Sequence, residues 1–220
     1  MSKKWKIIYF SENKDAISEI EIFINSKDER NQAKIFAWLD KLTELGPNLP
    51  RPYADLLIDG IHELRIKLSG SQIRILYFFC YKNYIILTNQ FVKNTDKVPK
   101  AEIKKAINRR DYFLTKYSRK KLKGVKVMRS FKTHLDIKLK NKSFKEKFEE
   151  EMELVNISIE LQSLREKKGL SQSDLAKKAH VTQQQLSKIE NGVNCNLSTF
   201  LKVCHALDLE ISIKNRKLTA

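Results

Sequence analysis

Apolar and polar residues alternate strictly along His62-Glu63-Leu64-Arg65-Ile66-Lys67-Leu68. In a strand, Leu64, Ile66 and Leu68 then face one side and Glu63, Arg65 and Lys67 the other. Ser69-Gly70-Ser71 turns the chain into a second apolar run from Ile73 to Phe79. Tyr81-Lys82-Asn83 turns it into a third, which starts at Tyr84 and ends at Phe91-Val92-Lys93. Links this short predict antiparallel hairpins. Upstream, Trp5 to Phe10 reads as a short strand. Ile17, Ile20, Phe23 and Ile24, then Ile35, Trp38, Leu39, Leu42 and Leu45, recur at helical spacing. Gly46-Pro47 closes the second of these helices, and Pro50 and Pro52 predict irregular chain after it. Pro99 opens a further helix through Ala101, Ile103, Ala106, Ile107 and Arg110. The pattern predicts an α+β domain over 1–115: an antiparallel sheet packed on two N-terminal helices, its other face partly open, with a C-terminal helix.

The pattern changes after that helix. Lys116 to Lys126 has few apolar anchors and reads as a frayed helix end running into a flexible, self-repelling linker, placed at 116–127. A region over 128–160 follows. Ser143 with Glu146 has the spacing of a capping box, and Phe144, Phe148, Met152, Val155 and Ile159 then form a helical stripe, with the glutamates largely elsewhere. Such a helix needs a partner for its apolar stripe, either its own domain or another. From 161 to 220 the chain reads as a compact all-α domain. Leu161, Leu164 and Arg165 close a first helix at Gly169. Ser171 with Asp174 caps a second, which carries Leu175 and Ala176, and His180-Val181 makes a tight turn. Thr182 caps a third with Leu186 and Ile189, stopped by Asn191-Gly192, and Ser198 starts a fourth with Phe200, Leu201, Val203 and Leu207. Ile211 and Ile213 suggest a terminal strand or a dimer edge.

Composition adds two things. At 41% hydrophobic and 31% charged the chain has an ordinary globular make-up, and no apolar run is long enough for a bilayer or a signal segment, so a cytoplasmic protein is expected. The net charge of +17 points to a polyanionic partner, nucleic acid being the commonest in cytosol, although a generally basic proteome would give the same excess. Cys80, Cys195 and Cys204 lack metal-ligand spacing and read as reduced thiols.

The segments IHELRIKL, QIRILYFF and ILTNQFVKNTDKVPKAEIKKAINRR, in that order, resemble the RelE/ParE superfamily of bacterial toxins in its HigB-like, phage-related branch. The resemblance runs from Trp5 to Phe113. Asn94 stands where that branch usually carries a second lysine after Phe-x-Lys, while Lys97 and Pro99 are retained. The resemblance implies an endoribonuclease that cleaves mRNA on the translating ribosome; the related ParE-like branch poisons DNA gyrase and cuts nothing. RNA supplies its own nucleophile, the 2′-hydroxyl beside the scissile phosphate, so the protein need only align it, stabilise the charged transition state and move two protons. The chain offers no carboxylate pair, metal cluster or glycine phosphate loop, so neither a cofactor nor a metal is expected. Arg65 and Arg74 are the candidate phosphate clamp. Lys93, with Lys67 or Lys97, is the candidate proton mover, since a lysine crowded by cations loses its proton more readily. The same side chains are also those of a solvated sheet face. Glu63, on that face, can pair with an arginine, and His62 points to the apolar side.

The stretch LQSLREKKGLSQSDLAKKAHVTQQQLSKIENGVNCNLSTFLKVCHALDLEISI resembles the Cro/C1-type (XRE) helix-turn-helix of phage repressors and HigA-like antitoxins. That resemblance implies a third helix in the DNA major groove, with Gln183 and Gln184 at base edges and Ser187 and Lys188 further along. It also implies Gln172, Thr182 and Asn191 on phosphates, a homodimer through this domain and a palindromic operator. Arg129-Ser-Phe-Lys-Thr-His-Leu matches the beginning of such antitoxins. Met128 behind Lys123-Gly-Val then resembles an internal start, in a natural fusion or in two joined genes. A type II toxin-antitoxin module in one chain is expected: a toxin acting on mRNA, restrained by an arm whose Phe144, Phe148 and Met152 contact it, with operator DNA as second partner. The alternative is a DNA-binding repressor whose toxin half is ParE-like or inert.

Overall fold

A computed structural model of the chain describes residues 5–13, 16–93, 97–118 and 130–212. They fall into two compact units that divide between Val155 and Asn156. Asn94, the linker beyond Ser118, Met128 and Ile213 lie outside the described residues.

The first unit holds a sheet of β1 (Lys6–Tyr9), β2 (Ala54–Ile58), β3 (Ile61–Leu68), β4 (Ser71–Cys80) and β5 (Tyr84–Val92), ordered β1-β5-β4-β3-β2. Its neighbours are antiparallel except for β1, which runs parallel to β5. Helices α1 (Glu19–Asn25) and α2 (Glu29–Leu45) follow β1. Ser18 and Asp28 cap them by accepting from the amides of Ile20 and Asn31. Gly46 ends α2 at φ +53, and a Cβ there would run into the Trp5 indole, so only glycine fits. Tyr81 and Lys82 both take left-handed φ, 49° and 68°, as a tight hairpin turn requires.

One strand differs from the sequence reading. The segment after Pro52 is not irregular; it forms β2, the sheet edge paired with β3. Leu56 and Ile58 are exposed there, so burial gives the segment no readable apolar face.

β3 packs on α2 and β5 on α1, which buries Leu64, Ile66 and Leu68 as the alternation requires. On the opposite face Ile61, Leu76, Phe78 and Ile86 meet Ala106, Phe113 and Tyr117 from α3 (Lys100–Lys116) and the residue after it. α3 thereby covers the apolar part of this face, and the end bearing Arg65 is lined instead by the first turns of the helix.

Residues 130–155 also belong to this unit. α4 (Phe131–Lys138) is capped by Ser130, and α5 spans Lys142–Lys167. Asn141, not Ser143, caps α5: its Oδ1 accepts from the Phe144 amide at 3.0 Å. The Ser143 hydroxyl instead donates to Glu29 of α2 at 2.9 Å.

The second unit begins inside α5 and adds α6 (Gln172–Lys178), α7 (Gln183–Glu190) and α8 (Leu197–Ala206). Leu161, Leu175, Ala176, Leu186, Ile189, Val203 and Leu207 form its core. Ser171–Asp174 and Thr182–Gln185 are reciprocal capping boxes. Between them His180 takes φ 52°, and the Val181 amide closes onto the Ala176 carbonyl at 3.0 Å, the tight turn of a helix-turn-helix. Gly169, at φ +66, stops α5 as expected. Two readings need correcting. The helix closed by Gly169 is continuous with the amphipathic stripe, and α8 is capped by Asn196, whose reach to the Thr199 amide (2.7 Å) displaces Ser198 from that role. Ile211 is exposed and forms no strand among the described residues.

Candidate functional site

The antiparallel register sets Arg65 directly opposite Arg74, and Lys67 opposite Gln72. The amide of Lys93 bonds to the Gln72 carbonyl at 2.7 Å, so Lys67 and Lys93 flank one residue. Side chains of directly paired residues point to the same face, so the register brings Arg65, Arg74, Lys67 and Lys93 onto one end of one face in successive rows.

That end is not purely cationic. Glu63, 1% exposed, lies between the arginines: Arg65 Nε donates to one carboxylate oxygen at 2.8 Å and Arg74 Nη1 to the other at 2.7 Å. Arg65 also donates to Asp55 at 2.9 Å and to the Pro52 carbonyl at 3.4 Å, and Arg51 reaches the other Asp55 oxygen. Burial works to raise the Asp55 carboxyl, but Arg51 and Arg65 outweigh it and hold it below its usual range. Arg74 is itself only 6% exposed. The two clamp candidates are therefore fixed in place by carboxylates, and a substrate phosphate has to compete with them.

Beside this network opens a cavity of about 630 Å³. It is lined by Glu63, Arg65 and Arg74, by apolar side chains from β2, α3 and the residue Val98, and by Lys97 ahead of α3 with Lys100 and Lys104 in its first turns. Lys67 and Lys93 do not line it. Among the proton-mover candidates, geometry thus unites only Lys97 with the arginines. Sequence reading misses Lys100 and Lys104, although their i,i+4 spacing after Pro99 is an available signal. It misses Asp55 because the prolines just before that strand make it look irregular. His62 stacks on Tyr77 at 5.4 Å, on the face expected, and burial pulls its pKa down.

In the second unit Gln183, Gln184 and Lys188 are exposed on α7, with Gln184 and Lys188 one turn apart on one face. Ser187 is half-buried, and Asn191 donates its amide back to the Ser187 carbonyl at 2.6 Å. The Thr182 hydroxyl accepts from the Gln185 amide as a cap. Gln172 donates to Glu190 at 2.7 Å, and Glu190, 1% exposed, also receives Arg165 at 2.6 and 3.1 Å. This buried pair ties α5, α6 and α7 together, holding α7 in place beneath its exposed glutamines.

The arm residues behave differently from one another. Phe144 is buried against Phe36 of α2, Phe148 stacks on Phe144 with centroids 6.3 Å apart, and Met152 is half-buried. Charge follows the same surface. Arg30 of α2 pairs with Glu150 and, at 2.8 Å, with the buried Glu151, and Lys147 pairs with Glu29. Burial pushes the Glu151 carboxyl up, against the pull of Lys34 and Arg30, and burial pulls Lys34 down.

The chain thus joins an α+β domain to a helix-turn-helix domain, and a family model matches each. Residues 23–111 match the family described as Phage derived protein Gp49-like (DUF891), and residues 161–213 match the family described as Helix-turn-helix. No curated protein matches the chain. Among solved structures, the "Structure of HipA-HipB-O2-O3 complex" and "MDT Protein" are each 31% identical over 29% of this chain and 92% of theirs. A HipB variant in complex with an "O2 20mer" is 29% identical over 29% of this chain and 90% of its own. All three give a TM-score of 0.28, too low to speak for a shared fold. No described helix is long and apolar enough to cross a membrane.

Proposed function

We propose that the chain is a toxin-antitoxin module in one polypeptide: an mRNA endonuclease of the HigB type acting on the ribosome, restrained by an antitoxin part that also binds its own operator DNA. The observation that carries this reading is the cavity where two opposed arginines and three lysines meet, in a domain matching the phage-derived Gp49-like family. In that cavity Arg74 and Arg65 bind the scissile phosphate and stabilise its developing charge, and Lys97 sits where it can exchange a proton with the attacking or leaving oxygen. Lys67 and Lys93, one row away on the same face, hold the RNA backbone on either side. Neutral Asn94 in place of a lysine leaves Lys97 as the base candidate. The exposed Gln183 and Gln184 read base edges, Ser187 and Lys188 lie one turn further along with Lys188 reaching a guanine or a phosphate, Gln172, Thr182 and Asn191 hold phosphates, and a two-fold dimer matches the operator.

Segment 1–118 expressed alone should arrest bacterial growth and fragment mRNA, and Arg74→Ala should abolish both. Growth arrest with intact mRNA and blocked gyrase would favour the ParE-like reading. No arrest would favour a repressor with an inert toxin half.

A further inference from the structure

Two like charges directly opposite one another on neighbouring strands repel, and Arg65 and Arg74 occupy such a pair. An anion between them removes the repulsion, and Glu63 supplies it with one carboxylate oxygen for each guanidinium. All three side chains line the cavity. Its volume of about 630 Å³ lies in the ordinary range for small-molecule sites, which leaves room for a phosphoribosyl unit and for the Glu63 side chain to swing aside. Among the described residues, Arg65, Arg74, Lys97, Lys100 and Lys104 line it against Asp59 and Glu63, so positive charge remains in excess even with Glu63 in place.

We infer that Glu63 plugs an oxyanion site. Arg65 and Arg74 form a cradle that one two-oxygen anion already bridges, and the phosphate enters by exchanging places with the Glu63 carboxylate. The exchange breaks and forms only charge-assisted hydrogen bonds, so no atoms or electrons are left unbalanced. Before exchange the Glu63 carboxylate occupies the cradle's donors, so it holds stray phosphate weakly. The inference rests on the nuclease reading for the identity of the phosphate's owner, an RNA chain; the cradle itself follows from the register and the cavity.

The test is anion rescue of full-length Glu63→Gln. The amide keeps the length of the side chain and removes its charge, so the arginines repel and the melting temperature falls. Inorganic phosphate should then raise that temperature, with apparent binding about tenfold or more tighter than in the native chain, one lost charge contact being ample for that factor. Sulfate should act likewise, and chloride at equal ionic strength should not. Glu63→Asp, whose shorter carboxylate reaches only one arginine, should respond to phosphate between the two. It serves as the readout if the glutamine variant does not fold. A phosphate response equal in native and variant chains, or absent from both variants, overturns the inference. Phosphate rescue without mRNA cleavage by segment 1–118 would sink the nuclease reading and leave the cradle standing. Cleavage without rescue would do the reverse.

Discussion

Phe144 of α5 meets Phe36 of α2 edge to face, with ring centroids 5.5 Å apart and planes at 84°. The contact joins the start of the arm to the helix beneath the sheet, and Phe131 and His134 of α4 enclose Phe36 from the same side at 5.7 and 4.8 Å. Phe144→Ala removes a fully buried ring and should lower the stability of the first unit by about 3–5 kcal/mol. Denaturant unfolding of the full chain, with proteolysis reporting release of α5, checks this. Phe148 is only half-buried and should tolerate the same change far better, so Phe148→Ala is the control.

The Arg165–Glu190 pair makes a prediction for the second unit. Glu190→Ala leaves a buried guanidinium without its carboxylate and takes an acceptor from Gln172, at a cost of about 3–5 kcal/mol. Circular dichroism of the variant should show the second unit melting well below the native one. DNA binding should be lost with the fold rather than through any contact of Glu190 with DNA.

For the α7 surface, Gln184→Ala should cost about 1–3 kcal/mol in operator affinity and relax the base preference at one position. Lys188→Ala, if it serves a phosphate, should weaken every DNA sequence alike and reduce the salt slope by about one. Gel-shift titrations against DNA from upstream of the coding region, at several salt concentrations, separate the two.

Acid should loosen the contact between α1 and α3. Glu19 bonds Arg109 at 2.7 and 3.0 Å and Lys105 at 3.0 Å, and the Arg109 hydrogen bond foremost lowers its pKa to about 2. Because the folded pKa lies below the unfolded one, this stabilisation is present above the usual carboxylate range and disappears as pH falls towards 2. Glu19 is 54% exposed, so screening reduces the effect to about 1 kcal/mol or less. Glu19→Gln should therefore be slightly less stable than the native chain at pH 7 and equal to it near pH 2, by denaturant unfolding at both.

Where a residue's neighbours in sequence determine its surroundings, the sequence was legible. Alternation placed Leu64, Ile66 and Leu68 on the buried face, and the caps at Ser171 and Thr182 with the turn at His180 marked the two helices of the helix-turn-helix. What escaped depended on distant pairing. β2 gains its strand from β3, and its wet edge erases the periodicity that would mark it. The bridging of Arg65 and Arg74 by Glu63 needs the register between β3 and β4, which no local pattern states. The cap of α5 went to Asn141 because Glu29, far earlier in the chain, engages Ser143. In the candidate site the residue types, the face and the pairing of Glu63 with an arginine were readable, while its bridging of both arginines, the Asp55 contact and the separation of Lys67 and Lys93 from the cavity were not.

Primer extension on mRNA from a bacterial translation extract supplied with segment 1–118 bears most directly on the central claim. The account predicts new 5′ ends within translated codons, absent when Arg74→Ala is used and absent when translation is blocked. RNA ends that are the same with Arg74 or alanine in that place, or no new ends at all, would contradict it.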